Sequence, residues 1–179
     1  MQQQHRKAEE KYALIRDQAR SITQDLLPYG EKSAISLEAI DHRALSQFKI
    51  WQDSTERLVH WPWDTGYREY AKQHPKRFEM ATWYHNTLCS LSIGRPTYSG
   101  SRMRLDFVER RPGINPLKGK IAAINLTAIE VYARLIDAQE VRIMHPDENL
   151  LDYYASFGYS SGLLKLRGTS SHYICKKLV

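Results

Sequence analysis

The sequence has little of what a secreted, membrane-spanning or zinc-binding protein requires. It has two cysteines, Cys89 and Cys175, and neither has a second cysteine or a histidine at the spacing that zinc ligands need. We therefore expect two free thiols in a reducing compartment and no metal site. No stretch reaches the roughly 18 consecutive apolar residues of a membrane span, and the polar amino-terminal segment lacks a signal-peptide core. The sequence predicts a cytoplasmic protein without a membrane segment.

The composition is that of a chain that folds. Hydrophobic residues make up 42% of it, and eleven tyrosines and four tryptophans supply aromatic side chains that disordered segments lack. Its 179 residues suffice for one domain with a substantial core. The formal net charge of +6 suits an anionic ligand, such as a nucleotide cofactor or a nucleic acid. Because basic residues are dispersed among acidic ones, charge alone does not choose between these ligands.

An amphipathic helix is predicted over residues 4–27. Apolar residues recur there at helical spacing and form one stripe: Ala8, Tyr12, Ile15, Ala19, Ile22 and Leu26. The segment Pro28-Tyr29-Gly30 ends the helix. We therefore divide the chain into an amino-terminal amphipathic helix, 1–30, and a domain, 31–179. Such a stripe covers the helix's own domain, or it pairs with a second copy of the chain or a partner protein.

The middle of the chain alternates between strand and helix patterns. A short strand is predicted at Ala34–Ile40, followed by a helix that Asp41 caps and that runs to about Gln52. A second short helix follows Asp64. From 76 to 111 come three runs rich in aromatic and branched residues, separated by turn residues, which predict an antiparallel meander.

In the carboxyl-terminal part, the spacing of apolar residues alternates between helix and strand patterns. Helical spacing predicts a long helix over 121–136, which leads into a strand at Glu140–Met144. A second helix is predicted over 148–157, and two strands at about 163–167 and 172–178 form a hairpin. The predicted order is thus strand, two helices, three strands, helix, strand, helix and two strands.

One segment connects this order of elements to a family. In DENLLDYYASFGY, at 147–159, two leucines precede the pair Tyr153 and Tyr154, and a glycine with an aromatic residue closes the segment. This pattern and the element order resemble the GNAT superfamily of N-acetyltransferases. The resemblance implies an α/β (α+β) fold with a central mixed, mostly antiparallel sheet flanked by helices, here with an extra N-terminal helix. It also implies acetyl-CoA as co-substrate and an amine as acceptor.

The loop before the long helix is the second point of resemblance. In the family, a Gln/Arg-x-x-Gly-x-Gly/Ala loop presents backbone N–H groups and a helix amino terminus to the pyrophosphate of acetyl-CoA. This sequence has Leu117, Lys120 and Ala122 at the three defining positions, so only the last one matches, and Gly119 is one residue out of register. Lys118 and Lys120 add positive charge. Together with the end of the preceding strand, the resemblance implies these cofactor-binding residues: Val108, Arg110, Leu117, Lys118, Gly119, Lys120, Ile121 and Ala122.

Tyr154 and Glu109 are the catalytic residues that the resemblance implies. A phenol stays protonated at neutral pH and can donate its proton to the departing thiolate, the role expected of Tyr154; otherwise Tyr154 is a core aromatic. Glu109, near the end of the third meander strand, is the expected general base, unless it pairs with Arg110, Arg111 or another base at the surface. Strand alternation predicts that Asp106 and Glu109 point to opposite faces of the sheet.

Trp61 and Trp63 lie in the loop between the first two helices of the domain. They are expected to wall the acceptor pocket, or else to plug the edge of the core. The leading hypothesis is an acetyl-CoA-dependent N-acetyltransferase acting on a protein, a small molecule or an aminoacyl-tRNA. One alternative is a fold of this type with a lost or altered cofactor site, serving as a binding or assembly module through its amino-terminal helix. Another is a nucleic-acid-directed modifying enzyme on the same scaffold.

Overall fold

A seven-stranded sheet forms the middle of the protein, and helices cover both of its faces. The computed structural model describes residues 2–28, 30 and 32–178. The strands are β1 Ile35–Glu38, β2 Phe78–Tyr84, β3 Thr87–Pro96, β4 Arg102–Arg110, β5 Glu140–Met144, β6 Leu164–Lys165 and β7 His172–Lys177. The helices are α1 Gln2–Leu26, α2 His42–Trp51, α3 Trp63–Gln73, α4 Ile121–Leu135 and α5 Leu151–Ser156, with a 3-10 turn at Glu148–Leu150 before α5. The predicted order of elements is confirmed, and β5 has the predicted bounds.

The strands are ordered β1-β2-β3-β4-β5-β7-β6 across the sheet. All neighbouring strands are antiparallel except β4 and β5, which are parallel. The prediction of a mixed, mostly antiparallel sheet is therefore confirmed. The parallel pairing begins with Arg102 opposite Glu140 and ends with Leu105 opposite Ile143. Because β4 continues to Arg110 without β5 paired to it, the two strands leave a gap in the sheet.

Two hydrophobic cores lie on the two faces of the sheet. Helices α1 and α4 cover one core, in which Phe78 and Tyr132 are buried. Helices α2 and α3 cover the other, in which Phe48 and Trp63 are buried. Asp41 caps α2 as predicted. The sheet is thus a middle layer between two pairs of helices.

Helix α1 lies against α4 and the sheet, so its own domain covers its apolar side. The end of the predicted stripe is wrong, because Leu26 is 62% exposed whereas Leu27 is buried. The physical reason is that the buried side of α1 includes two arginines, Arg16 and Arg20, whose guanidinium groups find acceptors on neighbouring elements. Apolar spacing alone therefore misplaces the buried side of this helix.

A buried ion-pair network fixes α1 to the sheet. Glu79, in β2, accepts hydrogen bonds from Arg77 Nε at 3.1 Å and from the hydroxyl of Tyr67, and its carboxylate lies 3.7 Å from Arg16 Nε. Arg77 also donates to Glu9 of α1 at 2.7 Å. Buried charges require such partners, since an isolated one is costly to remove from water. Polar contacts as well as apolar packing therefore attach α1 to the domain.

Three general features complete the fold. Within the described part of the chain, no helix combines the length and the apolar character needed to cross a membrane. Over the same residues, no group of three or more His, Cys, Asp or Glu side chains is arranged to hold a metal ion. Cys89 is buried, Cys175 is half-buried, and both are free thiols.

Candidate active site

The gap between β4 and β5 opens into a cavity of about 790 Å³. Residues 105–110 of β4 and residues 143–147, at the end of β5 and just after it, form two of its walls. The remaining walls come from the loop before α4 (Lys118 and Gly119), from α4 (Ile121, Ala122, Asn125 and Leu126), from the α5 region (Leu150, Tyr153 and Tyr154) and from the loop between α2 and α3 (Glu56, Leu58 and Val59). Helix α4 covers one face of the sheet, whereas the loop at 52–62 joins α2 to α3 on the other. The cavity therefore reaches both faces, so two ligands can meet in the gap between the strands.

Most of the residues expected to bind a cofactor lie along this cavity. Val108 and Arg110 line it from β4, Lys118 and Gly119 from the loop, and Ile121 with Ala122 from the first turn of α4. These residues lie around the same cavity because only the 111–120 loop separates the end of β4 from the start of α4.

Two of the expected cofactor-binding residues do not line the cavity. Leu117 is 1% exposed, its side chain belongs to the core under α4, and its N–H donates to Asn115 Oδ1 at 3.0 Å. The N–H of Lys120 donates to the carbonyl of Leu117 at 2.9 Å. The loop uses these two N–H groups for its own turns, so a role of Leu117 and Lys120 in cofactor binding stays a prediction. Asn115, which also donates to the carbonyl of Cys89 at 2.9 Å, organises the loop.

The start of α4 has the features of an anion site. The first N–H groups of a helix have no partner inside it, and no side chain caps those of α4. The first turn carries no acidic residue, and Lys118 lies beside it. Gly119 has a φ of +84°, a conformation that glycine adopts without strain, and a Cβ there would meet nothing within 4 Å. A phosphate group therefore finds main-chain donors, a helix dipole and a cation at this point.

Tyr154 lies on α5, half-buried, and lines the cavity. Burial raises the pKa of its phenol above the ordinary value of 10.0, and the nearby Asp147 and Tyr153 raise it further. The phenol is therefore protonated throughout the neutral range and has a proton to donate. The alternative interpretation, a core aromatic, describes only part of its environment, since the side chain packs against the core and also faces the cavity.

Glu109 is 1% exposed and is engaged in an ion pair. Arg57 Nε donates to its Oε1 at 2.6 Å, and a second nitrogen of the same guanidinium donates to its Oε2 at 3.0 Å. The indole of Trp63 donates to Oε2 at 2.5 Å. The partner is therefore neither Arg110 nor Arg111, and the carboxylate is buried in the protein rather than paired at the surface.

Arg57 is a residue that the sequence analysis missed. Besides Glu109, its guanidinium donates to the carbonyl oxygens of Gln52 at 2.8 Å and Trp61 at 3.0 Å. These two carbonyls lie near the two ends of the 52–62 loop, so one side chain ties both to β4. No periodic pattern surrounds Arg57, and its partner is distant in sequence, so nothing local indicates this role.

The tryptophans have a packing role. Trp63 is fully buried in the core under α2 and α3. Trp61 is half-buried and stacks on Phe107 with ring centroids 5.0 Å apart. Neither ring lines the cavity. Both rings pack as the alternative describes, at the edge of the core, and a role in the acceptor pocket stays a prediction. The loop instead presents Leu58 and Val59 to the cavity.

A bulge in β4 changes the facing of its carboxylates. Phe107 pairs with Ile93 and Leu105 with Gly94, which leaves Asp106 as the extra residue. Asp106 contacts Tyr70 of α3, and Glu109 contacts Trp63 of the same helix. Both carboxylates therefore face α3, and the prediction of opposite faces is wrong because strand alternation is interrupted at the bulge.

Solved structures share this architecture, although no protein-family model and no curated protein sequence matches the chain. Naa50 from Arabidopsis thaliana, in complex with the bisubstrate analogue CoA-Ac-MVNAL, is 14% identical with a TM-score of 0.54, over 81% of this chain and 99% of that one. The aminoglycoside 6'-N-acetyltransferase from Enterococcus faecium is 12% identical with a TM-score of 0.59, over 80% and 97% of the two chains.

A third match is a bacterial enzyme named for a ribosomal protein. The ribosomal-protein-S18-alanine N-acetyltransferase from Escherichia coli is 8% identical with a TM-score of 0.57, over 80% of this chain and 93% of that one. The matches span nearly the full length of these enzymes. The chain therefore has the GNAT N-acetyltransferase fold.

Proposed function

We propose that the protein is an acetyl-CoA-dependent N-acetyltransferase. The observation that carries the proposal is the cavity between β4 and β5, which is lined by Tyr154, the end of β4 and the start of α4. Acetyl transfer from a thioester to an amine needs a slot for the acyl chain, donors for the charge that develops on the carbonyl oxygen, and an acid for the leaving thiolate. The groups along this cavity can supply each of these. The fold shared with N-acetyltransferases supports the same conclusion.

Acetyl-CoA would bind from the α4 side of the sheet. Its pyrophosphate would lie at the start of α4, where main-chain N–H groups and Lys118 meet an anion. The pantetheine arm would follow β4 beyond Leu105, where the strand has lost its partner β5 and its main-chain groups face the gap. Donors of this kind, near Val108 to Arg110, would stabilise the oxyanion as the amine attacks.

Tyr154 would protonate the thiolate of coenzyme A as the carbon–sulfur bond breaks. Burial and the neighbouring Asp147 keep its phenol protonated, and its position along the cavity is compatible with contact to a sulfur atom in the gap. Glu109 would act as a positioning residue rather than as the base, since Arg57 and Trp63 occupy its carboxylate.

The acceptor amine would enter from the side of α2 and α3. The cavity wall includes apolar side chains of the 52–62 loop, Leu58 and Val59, together with Phe107 of β4 and Leu150 and Tyr153 of the α5 region. An amine next to an apolar or aromatic group complements such a wall better than a polyhydroxylated amine does. We therefore favour a peptide amino terminus or an arylalkylamine over an aminoglycoside as acceptor.

The proposal is tested by release of free coenzyme A from acetyl-CoA with four amines: tyramine, a pentapeptide with a free amino terminus, spermidine and kanamycin A. We expect transfer to the first two. Tyr154→Phe should lower kcat about 10²-fold or more and change the affinity for acetyl-CoA less than about twofold. Tyr98→Phe, at a fully exposed tyrosine away from the cavity, is the control. Transfer at the wild-type rate by the Tyr154 variant would show that another group protonates the thiolate.

A further inference from the structure

Acetyl transfer to an alkylamine needs a proton acceptor, because the amine is largely protonated at neutral pH and reacts only when neutral. The carboxylate of Glu109, the group first expected in this role, is shielded. Three N–H donors from Arg57 and Trp63 surround it, and only 1% of the residue is exposed. An acceptor amine therefore has no free approach to this carboxylate.

The second carboxylate of β4 is engaged as well. Asp106 accepts a hydrogen bond from the hydroxyl of Tyr70 at 2.7 Å and two from Arg104 at 3.0 and 2.8 Å. Arg95 lies 3.5 Å from the same carboxylate. Two guanidinium groups and a phenol therefore occupy the Asp106 carboxylate, so an acceptor amine has no free approach to it either.

We propose that His145 accepts the proton of the acceptor amine, an inference that rests on the acetyltransferase function proposed above. Of the described residues that line the cavity, His145 is the one histidine, and its side chain is exposed. The ring nitrogens of a histidine can accept a proton, and histidine is the side chain that most often acts as a general base.

The position of His145 fits this role. It follows β5 directly, two residues after Ile143, where the pairing with Leu105 ends. It therefore stands at the level of the bulge and of Val108, where the thioester is expected. Its N–H donates to the carbonyl of His172 at 2.9 Å, which fixes the backbone of the turn that leads from β5 to Tyr154 and its helix. One short segment thus carries both the proton acceptor and the proton donor.

The proposed step balances in protons and electrons. The neutral imidazole of His145 takes a proton from the ammonium group, and the freed electron pair of the nitrogen forms a bond to the thioester carbon. As the carbon–sulfur bond breaks, the thiolate takes the phenolic proton of Tyr154. The second proton of the amine is lost to solvent, and proton exchange with solvent returns imidazole and phenol to their starting forms. The products are an N-acetyl amide and coenzyme A with a free thiol.

Several other charged side chains line the cavity and contribute to the electrostatic potential around His145. Asp147, two residues along the chain, and Asp106 and Glu109 on β4 are acidic, whereas Arg110 and Lys118 are basic. Glu56 adds a carboxylate from the 52–62 loop. Asp147 itself accepts hydrogen bonds from the backbone and side chain of Asn149, both at 3.0 Å, so its Oδ1 serves to cap the turn.

The test compares His145→Asn with His85→Asn. Both histidines have left-handed backbones, with φ of 47° and 50°, which asparagine tolerates, and His85 lies outside the cavity wall. With tyramine and acetyl-CoA at pH 7, we expect His145→Asn to lower kcat/KM about 10²-fold and His85→Asn to leave it unchanged.

Added imidazole should restore part of the rate of His145→Asn. The loss of rate should also shrink at alkaline pH, where the amine is already neutral and needs no proton acceptor. A wild-type rate in His145→Asn would overturn the proposal, as would an equal loss in both variants or a loss that neither imidazole nor alkaline pH relieves.

A second readout does not depend on turnover. Diethyl pyrocarbonate should modify His145, as mapped by mass spectrometry, and coenzyme A should protect it, whereas His42, exposed at the start of α2, should react equally with and without coenzyme A. Modification of His145 that is unaffected by saturating coenzyme A would contradict its place beside the reacting centre. Failure of the wild-type protein to bind acetyl-CoA would sink the acetyltransferase function itself, whereas transfer that is insensitive to His145→Asn would sink only this inference.

Discussion

Arg57 and Glu109, 52 residues apart in sequence, form a buried ion pair in which one guanidinium donates to both carboxylate oxygens. The same guanidinium binds two carbonyls of the 52–62 loop, and Trp63 completes the hydrogen bonds of the carboxylate. Because the loop forms part of one wall of the cavity, this pair positions that wall. Under the proposed function, the same pair would make Glu109 a positioning residue rather than a base.

Arg57→Ala should lower the free energy of unfolding by about 3–5 kcal/mol, because it leaves the carboxylate of Glu109 buried without its cation. The double variant Arg57→Met with Glu109→Met should cost less than the single alanine variant, since no uncompensated charge remains. Urea denaturation of the variants measures both quantities. Arg6→Ala, which removes an exposed ion pair with Glu10 on α1, should change stability by less than about 0.5 kcal/mol. Equal effects of Arg57→Ala and Arg6→Ala would show that the buried pair does not have the proposed role.

Gly119→Ala should weaken acetyl-CoA binding. Open space surrounds the site of the new methyl group, so the substitution acts through the backbone, whose φ of +84° costs an L-residue about 1–2 kcal/mol. The loop is therefore expected to shift, which moves the N–H groups at the start of α4. Gly162→Ala is the matched control, since it also adds a methyl group in open space but has no positive φ. Calorimetry with coenzyme A compares the two, and equal affinities would mean that the loop conformation does not matter for binding.

Glu9→Gln should reduce stability at neutral pH and make it less sensitive to acid. Burial raises the pKa of the Glu9 carboxyl, but Arg77 and Arg16 outweigh this effect and hold the pKa below its ordinary value of 4.5. A carboxyl with a lowered pKa stabilises the folded state above its unfolded pKa and loses that contribution as pH falls through the folded pKa. The difference in unfolding free energy between wild type and Glu9→Gln should therefore be constant near pH 7 and shrink below about pH 4.5.

The control for Glu9 is Glu10→Gln, whose carboxylate is largely exposed on the outer side of α1. Its effect on stability should be small at every pH. Urea titrations at several pH values between about 3 and 7 make the comparison. A stability difference for Glu9→Gln that grew toward acid pH would contradict the ion-pair network under α1.

Local sequence signals located the helices and strands well where apolar residues keep a single helical or strand spacing. The strand at Glu140–Met144 and the cap of α2 at Asp41 follow from short-range rules and are confirmed. The signals failed where distant residues decide the outcome. Leu26 is exposed because buried arginines share its helix, and Asp106 faces α3 because of a bulge that β3 and β4 form together.

The site was predictable to a similar extent. A helix pattern singled out Tyr154, which lines the cavity. The loop before α4 was placed by counting back along the chain from Tyr132 of α4, and the side chain of Leu117 in that loop lies in the core. Neither Arg57 nor His145 stands in a recognisable pattern. Their places beside the cavity depend on where β4 and β5 separate and on which loop lies over the gap, and both follow only from the three-dimensional arrangement.

Isothermal titration of the full chain with acetyl-CoA tests the central claim most directly. The cavity between β4 and β5 and the start of α4 predict one saturable site, with a dissociation constant between about 1 μM and 1 mM and with weaker binding at higher salt. Absence of any binding heat, together with no thermal stabilisation, at millimolar acetyl-CoA would contradict the acetyltransferase account.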